Sequence, residues 1–197
     1  MGAYYYLAAQ LPYLVYGQDP PMSSSSFKAL AWDQMSPSEA ALLDSCTLDP
    51  DPTPVVHQDG EQAEPEIAYA EPASRTSSGF LNLWREWERT LRLNLVKSRA
   101  LKLRREAPVE APELPSDAVA AAKAALAMDS PLEAELSLDK ARWDAIQNLQ
   151  GMDIFSEGAI YAYLLKLLLM ERRTAFNTEE GFTEYKALYT AILGEAK

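Results

Sequence analysis

The sequence predicts an all-α protein, built of helical bundle modules and interrupted by a proline-rich acidic linker. Three observations lead there. Helix-start signals recur at Ser36-Pro37-Ser38-Glu39, Ser116-Asp117, Ser130-Pro131-Leu132-Glu133 and Ser156-Glu157. The apolar residues that follow such starts return at intervals of three and four, the spacing that lines one helix face. From residue 80 onward nothing alternates with the period of two that a half-buried strand requires.

Taken in order, Tyr4-Tyr-Tyr-Leu-Ala-Ala-Gln-Leu-Pro12 reads either as a short buried strand or as a helical turn, and Pro12 limits any helix there. Pro20-Pro21 forces a loop. Ser26 is placed to cap a helix over Phe27–Trp32. In Ser36-Pro37-Ser38-Glu39 the serine caps, the proline fits the first helical position and Glu39 reaches back to the cap N–H, so helix is expected through Asp44. Residues 47–78 change character: Asp49-Pro-Asp-Pro-Thr-Pro54 is followed by Asp59, Glu61, Glu64, Glu66 and Glu71, with Arg75 opposing them. Such a segment buries too little to repay its ordering entropy, so an exposed, mobile linker is expected.

A basic helix follows from Phe80 to about Glu106, and Ala107–Pro115 is a second, shorter proline break. Ser116-Asp117 caps an alanine-rich helix over Ala118–Met128. Ser130 opens a helix whose face is read as Leu132, Leu136, Trp143, Ile146 and Leu149. Ser156-Glu157 opens another through about Phe176. Thr178 opens the last, with Phe182, Tyr185, Leu188, Tyr189 and Ile192 on one face and Gly194 as its stop. The expected organisation is an N-terminal helical segment (1–46), the linker (47–78) and a helical domain led by the basic helix (79–197). The echo between Ser36–Asp44 and Ser130–Asp139 is either a duplication or two similar capping boxes.

Composition narrows the function classes. A chain of 197 residues with 48% hydrophobic content is long enough to bury a core. Its net charge of −11 argues against nucleic-acid binding, which requires phosphate neutralisation. One cysteine, Cys46, permits no internal disulfide and no multi-thiolate metal site, which suits the cytosol. The opening residues lack the basic region of a secretory signal. The longest apolar run, Ile160–Met170, is broken by Lys166 and falls short of the ~20 residues needed to span a bilayer.

No catalytic, cofactor-binding or metal-ligating set emerges, so no enzymatic activity is expected. The one histidine, His57, lies in the linker, without the rigid surround a general base requires. There is no Gly-Lys-Ser/Thr phosphate loop. Glu133 and Glu135 are two apart, hence on different helix faces, and Asp139 and Asp144 do not converge either. Glu179-Glu180 sits in a first helical turn, where negative charge offsets the helix dipole. A carboxylate-only metal site is the one catalytic alternative left open.

The basic helix stands out. Between Phe80 and Arg105, eight Lys/Arg face Glu86 and Glu88, in a chain that is acidic overall. Phe80, Trp84, Trp87, Leu91 and Leu95 form one apolar face, while Arg85, Arg89, Arg92 and Arg99 form another stripe. Two readings stand. Either the tryptophans are core and the arginines a solvated face, partly paired as in Glu88–Arg92, or the stripe docks on an acidic protein surface, for which planar guanidinium groups are well suited. The acidic linker shielding this helix is compatible with both. Tyr4, Tyr5, Tyr6, Tyr13 and Tyr16 are either an aromatic anchor for a partner or rings buried with wet hydroxyls.

Tyr4-Tyr-Tyr-Leu7 with Ala9, the Pro20-Pro21 loop, Leu93-Asn94-Leu95 with Arg99-Ala100, and Pro131–Glu135 through Arg142-Trp143 together resemble an uncharacterised bacterial family encoded with V/A-type ATPase components. Some of the same features are similar to the larger C-type (eukaryotic d-type) rotor adaptor of those ATPases. The resemblance implies an all-helical, non-catalytic adaptor that couples the membrane rotor ring to the central stalk. It also implies a cytoplasmic, peripheral location at the inner face of the membrane, held there only through protein partners. Arg85, Arg89, Arg92 and Arg99 are then the expected partner-binding residues, with Trp84 and Trp87 positioning their helix. The alternative is a helical assembly factor or regulator that binds the ATPase, or another acidic partner, transiently.

Overall fold

The structure, a computed structural model, describes residues 4–49, 75–105 and 110–175. Most of the acidic linker with His57, part of the second proline break and the helix expected from Thr178 lie outside the described residues. Within them the chain is helical, without a strand: α1 (Tyr5–Gln10), α2 (Ser24–Trp32), α3 (Pro37–Ala40, tightening into a 3₁₀ turn over Ala41–Ser45), α4 (Gly79–Lys102), α5 (Ser116–Leu126), α6 (Pro131–Leu149) and α7 (Glu157–Ala175).

α7 is the axis of the fold. From Ala159 to Met170 every residue except Tyr163 and Leu168 is buried, the signature of a helix covered on all sides. α2 packs on one flank, and α4 and α6 on another, with α5 bridging α4 and α6. A shared apolar core runs from Leu7, Phe27 and Leu43 through Trp84 and Leu91 to Ile146, Tyr161 and Leu165. The hydroxyl of Tyr161 donates to the Glu39 carbonyl at 2.9 Å, and that of Tyr163 to the Pro12 carbonyl at 2.9 Å. Both bonds tie the N-terminal segment to α7.

Helix starts fall close to the expected places, with instructive shifts. The first segment is helix, not strand: Ala8 N–H donates to the Tyr4 carbonyl at 2.9 Å, and Leu7 turns into the core. α2 begins at Ser24 rather than after Ser26, because Ser23 is the cap and its hydroxyl accepts the Ser26 N–H at 3.1 Å. The earlier start puts the Ser24 N–H on Glu171 Oε1 at 2.6 Å and brings the Phe27 ring against Tyr163. Ser36 caps α3 without a side-chain bond to the backbone. Its hydroxyl donates to Glu39, which also accepts from the Tyr4 hydroxyl. Those two donors hold the Glu39 carboxyl below its ordinary pKa. Pro115, not Ser116, occupies the N-cap position of α5, without a side-chain cap bond.

The starts at Ser130 and Ser156 hold as expected. Ser130 Oγ accepts the Glu133 N–H at 3.3 Å, and Ser156 Oγ accepts the Ala159 N–H at 3.2 Å. The inward face of α6 is displaced from the expected one. Leu132 is exposed, and Leu138, Asp139, Arg142, Trp143, Ala145 and Ile146 are buried. Two of those six are charged, which an apolar periodicity does not register. The two segments of the sequence echo also differ in form, one a short turn of helix and the other nineteen residues long.

Candidate functional site: the basic helix

Ser78 caps α4 and accepts the Leu81 N–H at 3.5 Å, while Asn82 exchanges bonds with Thr76 on either side of the cap. Phe80, Trp84, Trp87, Leu91 and Leu95 are all buried, as the spacing predicts. Trp84 and Trp87 stack with ring centroids 5.8 Å apart. Each also spends its indole N–H inside the fold, Trp84 on the Thr47 carbonyl at 3.1 Å and Trp87 on Asp117 Oδ2 at 2.9 Å. Their part is to orient α4. A second row one turn apart fastens the loop before α5: Thr90 Oγ1 donates to the Leu114 carbonyl at 3.1 Å, and the buried Asn94 amide to the Pro112 carbonyl at 2.8 Å.

The arginine stripe divides along its length. Arg92 is turned onto the protein itself, with Nε on Glu88 Oε1 at 2.8 Å, Nη2 on the Leu48 carbonyl at 2.9 Å and Nη1 on Asp49. Arg85 and Arg89 are half-buried, and each is engaged in an interaction. Arg99 is exposed. So are Lys97, Lys102, Arg104 and Arg105, together with Leu101 and Leu103. The last buried residue of α4 is Leu95, after which the helix runs on past the core.

The end of α4 is built with some cost. Arg105 N–H donates to the Ala100 carbonyl at 2.9 Å and Arg104 N–H to the Leu101 carbonyl at 3.0 Å, the paired bonds of a Schellman cap. Arg104 takes the left-handed conformation this cap needs, at φ 55°, where glycine is at ease and a Cβ is not. Lys102 donates to the Leu126 carbonyl at the C-terminal end of α5, where a cation complements the helix dipole.

Sequence reasoning missed what lies beneath the stripe. Glu88, read as one half of an exposed i,i+4 pair, is fully buried. Arg142 of α6 grips it in a two-pronged contact, Nε to Oε2 at 3.0 Å and Nη2 to Oε1 at 3.0 Å. Arg142 Nη1 continues to Asp139 at 3.1 Å, and Arg172 of α7 lies 3.9 Å from Asp139 and 3.3 Å from Glu135. The chain Asp49–Arg92–Glu88–Arg142–Asp139–Arg172–Glu135 alternates in sign and stitches α4, α6 and α7 together. Burial works against the Arg142 charge, yet Glu88 and then Asp139 outweigh it and hold its pKa above the ordinary value. Asp144, by contrast, pairs with Lys140 at the surface.

Among the described residues no group of three or more His, Cys, Asp or Glu is arranged to hold a metal ion, and no helix is long and apolar enough to cross a membrane. No protein-family model, curated protein or solved structure matches the chain.

Proposed function

We propose that the chain is a non-catalytic component of a bacterial V/A-type ATPase, akin to its C-type rotor adaptor, coupling the rotor ring to the central stalk and held at the membrane through those proteins. Its grip on them is the exposed basic end of α4. The observation that carries this reading is the run from Lys97 to Arg105, which holds five exposed cations, no acid and the exposed Leu101 and Leu103. In a chain of net charge −11, such a protruding basic and apolar tip suits an acidic protein surface. The all-helical architecture of the described residues is compatible with that reading.

One observation favours a second reading, that of a transient assembly factor or regulator. The internal engagement of Arg92 confines the exposed cations to the helix end, and a contact that small suits weak association. Purification of the tagged protein from native membranes separates the two. Recovery of the ATPase at fixed stoichiometry supports the stable component, and substoichiometric recovery supports the regulator. Charge reversal at Arg99, Arg104 and Arg105 to Glu is expected to release the protein from membranes while leaving its fold intact. Undiminished association after that reversal sinks both readings of the tip.

A further inference from the structure

A cavity of about 640 Å³ opens between α1, the loop after it, α6 and α7, on residues α4 does not supply. Its walls are mainly aliphatic and aromatic, among them Leu14, Tyr16, Trp143, Phe155, Ile160 and Tyr163. Among these apolar walls lies the ammonium of Lys166, only 7% exposed. Lysines are almost never buried without a counter-charge, yet the partners of this one are neutral. The side-chain oxygens of Gln147 and Gln150 accept from Nζ at 2.6 and 3.1 Å, and the Trp143 ring lies 5.5 Å from it. Among the described residues no carboxylate pairs with it, although the same helix layer supplies Arg142 and Arg172 with acids. Burial pushes the Lys166 pKa down to about 8.

We infer that this cavity is a binding site for a small apolar carboxylate, its hydrocarbon part against the aromatic walls and its carboxylate on the Lys166 ammonium. The two glutamines hold two of the three N–H donors and leave one for the ligand. The size lies within the range of small-molecule sites, and a few placed polar groups in an apolar cleft are their usual composition. A carboxylate supplies a counter-charge that no described residue gives Lys166, whereas a neutral or cationic ligand leaves the buried ammonium as it is. The mouth is apolar as well, with Tyr5, Tyr13 and Ile154 exposed around it.

The test compares octanoate with 1-octanol on the full-length protein by calorimetric titration. The acid is expected to bind at least tenfold more tightly than the alcohol, and Lys166→Met to abolish that preference while retaining the alcohol's affinity. Equal binding of the two compounds by the unmodified protein overturns the inference, as does failure of both to bind. The comparison on unmodified protein does not depend on the variant folding. It is also independent of α4, since reversal of Arg99, Arg104 and Arg105 leaves every wall of the cavity in place.

Discussion

Glu88→Gln is the most informative single change in this protein. The substitution keeps shape and one carbonyl acceptor but removes the charge on which Arg142 and Arg92 converge. Arg92 is partly exposed and retains Asp49, so it is little stranded. Arg142 has only 6% of its side chain exposed and retains just Asp139, which leaves a guanidinium in the core with one partner where it had two. Breaking a buried pair in this way costs about 3–5 kcal/mol, against about 0.3–0.5 for the exposed i,i+4 pair that the sequence suggests. For a chain of this size, that corresponds to a fall in Tm of roughly 6–20 °C. Urea unfolding followed by circular dichroism and tryptophan fluorescence gives the value directly, and the unfolding slope should stay unchanged.

The double-mutant cycle sharpens the point. Arg142→Met alone should cost a similar amount, because buried Glu88 then loses its two-pronged partner and keeps the contact with Arg92. Glu88→Gln with Arg142→Met together should cost less than the sum by about 2 kcal/mol or more, since neither partner is left uncompensated. A Glu88→Gln loss below about 1 kcal/mol, with additive behaviour in the cycle, would refute the claim that the carboxylate is desolvated and shared between α4 and α6.

Three further outcomes follow from the same structure. The Lys166 pKa is lowered to about 8 on folding, so the unfolded chain binds the extra proton between roughly pH 8 and 10.5; stability therefore rises with pH across that window and the charge costs about 3 kcal/mol below it. Cys46 and Tyr4, whose pKa values burial raises, pull the other way above about pH 9, but they are present in both proteins, so the difference between wild type and Lys166→Met isolates the lysine. Cys46 is buried and its thiol is pushed up to about 12, so a disulfide reagent such as Ellman's should react at the rate of unfolding and speed up in urea; immediate labelling in buffer would contradict its place in the core. Arg104→Gly should raise stability by about 0.5–1 kcal/mol by relieving the left-handed strain, measured as a shift in the urea midpoint.

The legible part of this fold was its helices. Capping serines at 130 and 156 mark α6 and α7, and the three-four spacing on α4 picks out Phe80, Trp84, Trp87, Leu91 and Leu95, half of the residues that helix buries. What the sequence concealed has one physical source: periodicity weighs hydrophobicity, and the decisive contacts here are ionic. Glu88, Asp139 and Arg142 look like surface residues by type, and only three-dimensional pairing makes their burial tolerable. A signal did exist, in that Asp139 and Arg142 fall three apart on the same side of α6 as Trp143 and Ile146. Lys166 likewise read as an interruption of an apolar run. In the structure it is the one charged residue buried within α7 from Ala159 to Met170 and a charged element in the wall of a cavity.

The arginine stripe shows the complementary limit. Counting turns places Arg85, Arg89, Arg92 and Arg99 near one angular position on α4, and that geometry is sound. Whether a position is covered depends, however, on where the neighbouring helices stop. α6 and the Thr47–Asp49 stretch of chain lie along the first part of α4, so Arg92 meets carboxylates and carbonyls there. Beyond Leu95 no residue of α4 is fully buried, and Val96 to Lys102 extends about 10 Å past it at the usual helical rise. Exposure on this helix is therefore axial: one stripe is turned inward over its first part and exposed at Arg99. The buried fork from Arg142 to Glu88 fixes the rotation and height of α4, and so sets which cations stand clear. Loosening that fork should therefore shift the exposed basic end without altering one of its residues.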